Sequence, residues 1–200
     1  MTPRLILASR SPARAALLRA AGVPFEAMAA AVDEDSAKAA LRADGANGRA
    51  LADALAELKA VKLSARYPDA IVLGCDSTVE AADGTQIDKA DTREEARAQL
   101  RALAGTTHRL TSAVVAAERG VPVWRHVGVA KLTMRDFSDA FLDAYLDAEW
   151  PAIGGCVGGY RIEGRGMQLF SRIEGDQATI LGLPLLPLLG WLRDRELLLR

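Results

Sequence analysis

The sequence has little of what disulfide scaffolds and histidine-rich metal centres are built from. It holds two cysteines and two histidines among 200 residues. Cys75 and Cys156 lie far apart and match neither a CxxC pair nor a zinc-ligand spacing. Two reduced, buried thiols are therefore expected rather than a bridge, as in a cytoplasmic protein. His108 and His126 are too few for a histidine-rich metal site. An excess of one charge is also missing: 25 Lys and Arg stand against 26 Asp and Glu, a formal net charge of −1. A nucleic-acid surface carries a basic stripe. With none here, no nucleic-acid partner is expected, and an anionic ligand must be met by a few focused positive groups. Long apolar runs are lacking too. The longest, Ala178 to Leu192, falls short of the ~20 residues of a membrane span and contains Pro184 and Pro187. It reads as a buried core helix, and no membrane partner is expected. No charged segment followed by a long apolar stretch opens the chain, so no signal peptide is expected.

What is present is ordinary globular composition. Half the residues are hydrophobic and 26% are charged, which argues for a packed core and against disorder. The length suits one domain with two lobes. With no internal repeat and no linker, a single domain over residues 1–200 is expected.

The most informative stretch is Ile6-Leu7-Ala8-Ser9-Arg10-Ser11-Pro12-Ala13-Arg14-Ala15-Ala16-Leu17-Leu18. Leu5 to Ala8 reads as a short buried strand. Two serines follow, then a proline that opens an Ala/Leu-rich helix ending at Gly22. Pro12 suits the first helical position, where a missing N–H costs nothing, and Ser11 can cap the helix. A strand turning directly into a helix aims free N–H groups and the positive dipole end at one spot, which suits a phosphate. Arg14 adds a forked, permanently charged donor there. An ordinary, well-capped βα unit has the same pattern, so residues further along must decide.

Val23 to Glu26 reads as extended, followed by the acids Asp33, Glu34 and Asp35 before a short helix capped by Ser36. A longer helix is expected from about Arg49 to Arg66, with Leu51, Ala54, Leu55 and Leu58 on one face and Lys59 and Lys62 also on it. Ala70 to Leu73 has the continuous apolar pattern of a strand covered on both faces. Asp76 is expected just beyond its carboxyl end, where ligands bind in open α/β sheets. Asp83-Gly84 reads as a hairpin turn. Thr92 and Glu95 form a capping box for a helix that stops at Gly105. His108 to Ala117 and Val121 to Met134 read as a hairpin about Glu118-Arg119-Gly120. Ser138 should cap a helix that turns Phe141, Leu142, Tyr145 and Leu146 inward. Gly154 to Gly166 should be irregular, Gln168 to Ile173 a strand, and Leu183 to Leu198 the closing helix.

Several charged groups then need weighing. Glu34 and its neighbours offer ligands for a divalent cation, or are a solvated capping loop. Asp76 offers a metal ligand or general base, or a turn residue. Lys59 and Lys89 can neutralise phosphate oxygens, and Glu163 can bond a base edge or be a loop acid. A phosphate-binding helix start, one or two carboxylates for Mg²⁺ and two lysines together suit attack of water on a phosphate ester. There is no GxxxxGK[ST], no GxGxxG between strand and helix, and no GxSxG elbow.

Leu7 to Leu18 (LASRSPARAALL) resembles the opening signature of the Maf family of nucleotide pyrophosphatases, LASxSPRRxxLL. The resemblance continues in family order through Val32-Asp33-Glu34, Leu58-Lys59-Ala60, Leu73-Gly74-Cys75-Asp76 and Asp88-Lys89. It then runs through Gly105-Thr106-Thr107-His108, Gly159-Tyr160-Arg161-Ile162-Glu163-Gly164 and Gly182-Leu183-Pro184-Leu185. It implies an α/β, Maf/ITPase-like mixed sheet flanked by helices, two lobes and a central cleft. The implied activity is hydrolysis of a nucleoside triphosphate to monophosphate and pyrophosphate with Mg²⁺ or Mn²⁺, as house-cleaning of non-standard nucleotides. Asp76 and Glu34 are implied as catalytic and metal-site acids, with Ser9, Ser11, Arg14, Lys59 and Lys89 on the phosphates. A homodimer is left open.

Substrate choice is implied by the positions that differ among family members. Those acting on dTTP and UTP have a second Arg where this chain has Ala13, Thr where it has Ser77 and Gln where it has Glu163. Those acting on 7-methyl-GTP lack that Arg, and carry Gln at the second position and Glu at the third. Ala13 and Glu163 place this chain with the second group, and Ser77 matches neither. A carboxylate can accept from a guanine N1–H and 2-amino edge, whereas a Gln amide suits a pyrimidine carbonyl pattern. Asp88 and Ala90 replace the Gly and Pro that flank the lysine elsewhere in the family. A dTTP/UTP pyrophosphatase and a non-catalytic nucleotide-binding regulator of cell division are the alternatives.

Overall fold

A computed structural model describes residues 4–199. The strands are β1 (Arg4–Ala8), β2 (Glu26–Ala27), β3 (Ala70–Glu80), β4 (Gln86–Ile87), β5 (Thr107–Glu118), β6 (Val121–Met134) and β7 (Phe170–Glu174). The α-helices are α1 (Pro12–Ala20), α2 (Glu34–Ala43), α3 (Gly48–Ser64), α4 (Arg93–Leu103), α5 (Asp139–Glu149), α6 (Gln177–Ile180) and α7 (Leu185–Asp194). The strands form one seven-stranded sheet in the order β2-β1-β3-β5-β6-β7, with β4 on β3. β1 runs parallel to β2 and β3, while β4 on β3 and β7 on β6 are antiparallel. The fold is thus a mixed α/β sheet flanked by helices.

By contact density the chain forms two compact units, Met1–Ser77 with Thr111–Gly128 and Asp176–Arg200, and Thr78–Leu110 with Val129–Gly175. In the first unit, alternation along the strands sorts side chains onto two faces. Leu5, Leu7, Ile71, Leu73, Cys75, Val114 and Ala116 face α1 and α7, meeting Leu18, Leu188 and Leu192. Ile6, Ala8, Ala70 and Val72 face the other way with Leu63 of α3. Ala52, Ala56 and Ala60 of α3 lie against Ala113, Val115 and Ala117 of β5. This alanine seam lets α3 approach the sheet closely. Gly74 completes it, because a Cβ there would stand 2.0 Å from the Ala56 carbonyl oxygen.

In the second unit, the Thr92–Glu95 capping box opens α4 as expected. Arg93, Arg97 and Arg101 of α4 pair with Asp147, Asp143 and Asp139 of α5. Tyr160 of the glycine-dense segment forms an aromatic cluster with His108 and Phe170. His108 Nε2 and Tyr160 Oη lie 2.8 Å apart. Burial pushes the His108 imidazole down to about 4.

Four local expectations are corrected. The apolar run Ala178–Leu192 is no continuous helix. Gly182, at φ +101°, ends α6 in a left-handed turn, and α7 starts only after Pro184, its N-cap residue. Asp33, not Ser36, caps α2, its carboxylate accepting from the Ser36 N–H at 3.1 Å. Leu58 is 38% exposed, so the buried face of α3 runs through Leu51, Leu55, Lys59 and Leu63 instead. Asp76 lies inside β3 rather than beyond its end, because pairing of Val79 and Glu80 with β4 extends the strand past its apolar run. Since Gly74 pairs with Ala8, the last residue of β1, Asp76 still projects just past the carboxyl end of the neighbouring parallel strand. Both cysteines are free, as expected, but only Cys75 is buried; Cys156 is half-buried in the glycine-dense segment. Among the described residues no helix is long and apolar enough to cross a membrane.

Candidate active site

The turn from β1 into α1 forms the first half of the site. The Ser11 hydroxyl caps α1, accepting from the Arg14 N–H at 3.4 Å. The Ser9 hydroxyl accepts from the Ser11 N–H and from Arg14 Nη1, each at 3.2 Å. Arg14 also donates from Nε to the Gly182 carbonyl at 2.7 Å and from Nη2 to Ser77 Oγ at 2.9 Å. The guanidinium is thereby fixed beside a helix N-terminus, an arrangement that favours anions. Ala13, half-buried on the first turn of α1, contributes only a methyl group.

β3 carries the second half. Its alternation points Ser77 to the α1 face and Asp76 to the α3 face. There Lys59 Nζ donates to Asp76 Oδ1 at 2.6 Å and lies 3.0 Å from Glu34 Oε2. Lys59 and Asp76 are each only 7% exposed, so each charge needs the other to offset its lost hydration. Glu34, in the first turn of α2, is half-buried. Lys62, one turn beyond Lys59, donates to the Ala31 carbonyl at 2.6 Å and ties down the segment leading to Glu34. Ala31 sits at φ +49°, a strained conformation for a residue with a side chain.

The carboxylates of Glu34 and Asp76 converge on one ammonium. They are hard oxygen donors of the kind Mg²⁺ accepts, with water and phosphate oxygens filling its remaining positions. Among the described residues no group of three or more His, Cys, Asp and Glu gathers into a metal site. Two carboxylates could hold one side of such a cation.

Lys89 and Glu163 belong to the second unit; both are exposed. Both lie within electrostatic reach of Cys156, whose thiol burial pushes up. Glu163 sits in a turn that Arg161 anchors by donating to Glu149 at 2.6 Å. Asp88 is half-buried and Ala90 buried.

The structure thus brings Ser9, Ser11 and Arg14 into one group and Glu34, Lys59 and Asp76 into another, joined through adjacent residues of β3. Sequence reasoning missed Ser112, which is fully buried with its Oγ 2.8 Å from that of Ser77. It also missed the partner role of the Gly182 carbonyl. Only the position of Gly182 before Leu183-Pro184 was a signal for the second, and nothing local marked the first.

Sheet and site together define an α/β protein with an anion-binding helix start beside a buried lysine–carboxylate pair. The family model for Maf-like protein matches residues 4–195. A nucleoside triphosphate pyrophosphatase of Sphingopyxis alaskensis is 55% identical over 189 residues, covering 94% of this chain and 96% of the relative. Proteins of the same name from Granulibacter bethesdensis and Caulobacter vibrioides are 50% and 53% identical, covering 98% and 96% of this chain and the same shares of their own. The chain belongs to the Maf family.

Proposed function

We propose that this protein is a divalent-metal-dependent nucleoside triphosphate pyrophosphatase, and that Asp76 takes the proton of the attacking water. The supporting observation is the buried Lys59–Asp76 pair, with Glu34 on the same ammonium, one residue along β3 from the Ser77 that meets Arg14. The shared name of the relatives agrees with it.

A new bond forms between the water oxygen and the α-phosphorus. The bond to the bridging oxygen breaks, and pyrophosphate leaves with that oxygen. Asp76 Oδ1 is engaged by Lys59, which orients the carboxylate and leaves Oδ2 to accept the water's proton. Ser9, Ser11 and Arg14 hold phosphate oxygens at the start of α1, and Lys89 offsets further phosphate charge. Glu34 and Asp76 would hold Mg²⁺ or Mn²⁺, which would supply charge neutralisation and a lowered water pKa. Glu163 reads the base, and as a carboxylate it favours a guanine edge and above all a cationic base such as 7-methylguanine. Clearing modified nucleotides in the cytoplasm is the role that fits such a preference.

The test is a panel of nucleoside triphosphates, 7-methyl-GTP included, incubated with Mg²⁺ or Mn²⁺ and assayed for pyrophosphate. Release of pyrophosphate and monophosphate, abolished by EDTA, is the expected result. Nucleotide binding by calorimetry without release from any substrate would favour the non-catalytic regulator instead.

A further inference from the structure

Position 77 holds a serine where dTTP/UTP-type relatives are expected to have threonine and 7-methyl-GTP-type relatives glutamine, which points to base selection. Its contacts point elsewhere. Ser77 Oγ accepts from Arg14 Nη2 at 2.9 Å and lies 2.8 Å from Ser112 Oγ. An arginine can only donate, so the Ser77 oxygen is the acceptor and its own proton is free to go to Ser112. Ser112 is fully buried on β5, on the same sheet face as Val114 and Ala116 of the α1 and α7 core. A hydroxyl in such a place is costly unless it is bonded. Beside Ser77 on the same edge of the guanidinium, the Gly182 carbonyl takes Nε at 2.7 Å. Gly182 adopts φ +101°, and a Cβ there would stand 3.0 Å from Arg14 Nε, so a side chain would disturb both the turn and the contact. With Ser9 on Nη1, three of the five guanidinium N–H groups are spent on the protein. One N–H on each terminal nitrogen remains for phosphate oxygens.

We infer that Ser77, backed by the buried Ser112 and joined on the same guanidinium edge by the Gly182 carbonyl, is a positioning residue that aims Arg14 and sets the grip on phosphate irrespective of the base. The inference rests on Arg14 binding phosphate, as proposed above.

Steady-state kinetics on two triphosphates with different bases, both turned over by the intact protein, test it. Ser77→Ala should raise KM about five- to tenfold by the same factor for both bases, with kcat little changed. Ser112→Ala should do the same more weakly, and Ser77→Thr, which restores the hydroxyl, should recover most of the loss. In an Arg14→Ala background Ser77→Ala should add nothing, since the residue it aims is gone. A Ser77→Ala effect that differs between the two bases, or that persists undiminished without Arg14, would overturn the inference. If Arg14→Ala alone leaves KM unchanged, the phosphate role of Arg14 fails and the inference with it, an outcome the single variant distinguishes.

Discussion

Gly74 on β3 and Ala56 on α3 meet so closely that no side chain fits between them. A Cβ on Gly74 would lie 2.0 Å from the Ala56 carbonyl oxygen and 2.6 Å from the Ala60 nitrogen. Both obstacles are backbone, so neither can swing aside. This contact sets the height of α3 above the sheet, and with it the reach of Lys59, one turn along from Ala56, to Asp76. Gly74→Ala should lift α3, cost about 1–3 kcal/mol of stability in urea unfolding, and lower kcat of the protein that remains folded. Retained stability with normal kcat would show that the close approach is not what places Lys59.

His108 gives a pH dependence that does not involve catalysis. Burial holds its imidazole near 4 in the folded protein, against about 6.5 in the unfolded chain. Between those values the unfolded state binds the extra proton, so stability falls as pH drops from about 6.5 to about 4. The loss approaches about 3 kcal/mol at the acid end. His108→Gln should flatten this fall, read as the difference between the two proteins' urea midpoints across that window. Parallel curves would mean that the imidazole is not held neutral by burial.

Glu34 shares the Lys59 ammonium with Asp76 at 3.0 Å. If it helps to hold the cation, Glu34→Gln should raise the Mg²⁺ or Mn²⁺ concentration for half-maximal activity about tenfold or more, because a neutral amide is the weaker ligand. At saturating metal much of kcat should return. An unaltered metal titration would remove Glu34 from the metal site.

Glu163→Gln tests base reading. Exchanging the carboxylate for an amide should shift the kcat/KM ratio of 7-methyl-GTP to UTP toward UTP by about tenfold or more. An unchanged ratio would place base recognition elsewhere.

Much of the fold was legible because its signals are local. Ser11 and Pro12 opening α1, the Thr92–Glu95 capping box and the turn at Glu118-Arg119-Gly120 each depend on residues within one or two turns of chain. The misplaced elements depend on distant partners. The apolar run ending at Leu73 could not reveal that β4 would extend β3 past Asp76. Nor could Ala178 to Leu192 reveal the left-handed turn at Gly182 that splits it. At the site, Asp76, Lys59, Glu34, Ser9 and Arg14 were legible mainly through the family resemblance, since each residue alone had an ordinary alternative. Ser112 was not, because a lone serine in a strand shows its purpose only once Ser77 stands beside it.

The most direct measurement is pyrophosphate release by Asp76→Asn, with folding checked by thermal melting and nucleotide affinity by calorimetry. Losing the proton acceptor should slow turnover about a hundredfold or more while the nucleotide still binds to a folded chain. A variant that folds, binds and releases pyrophosphate at the unmodified rate would contradict the assignment of Asp76 as the base.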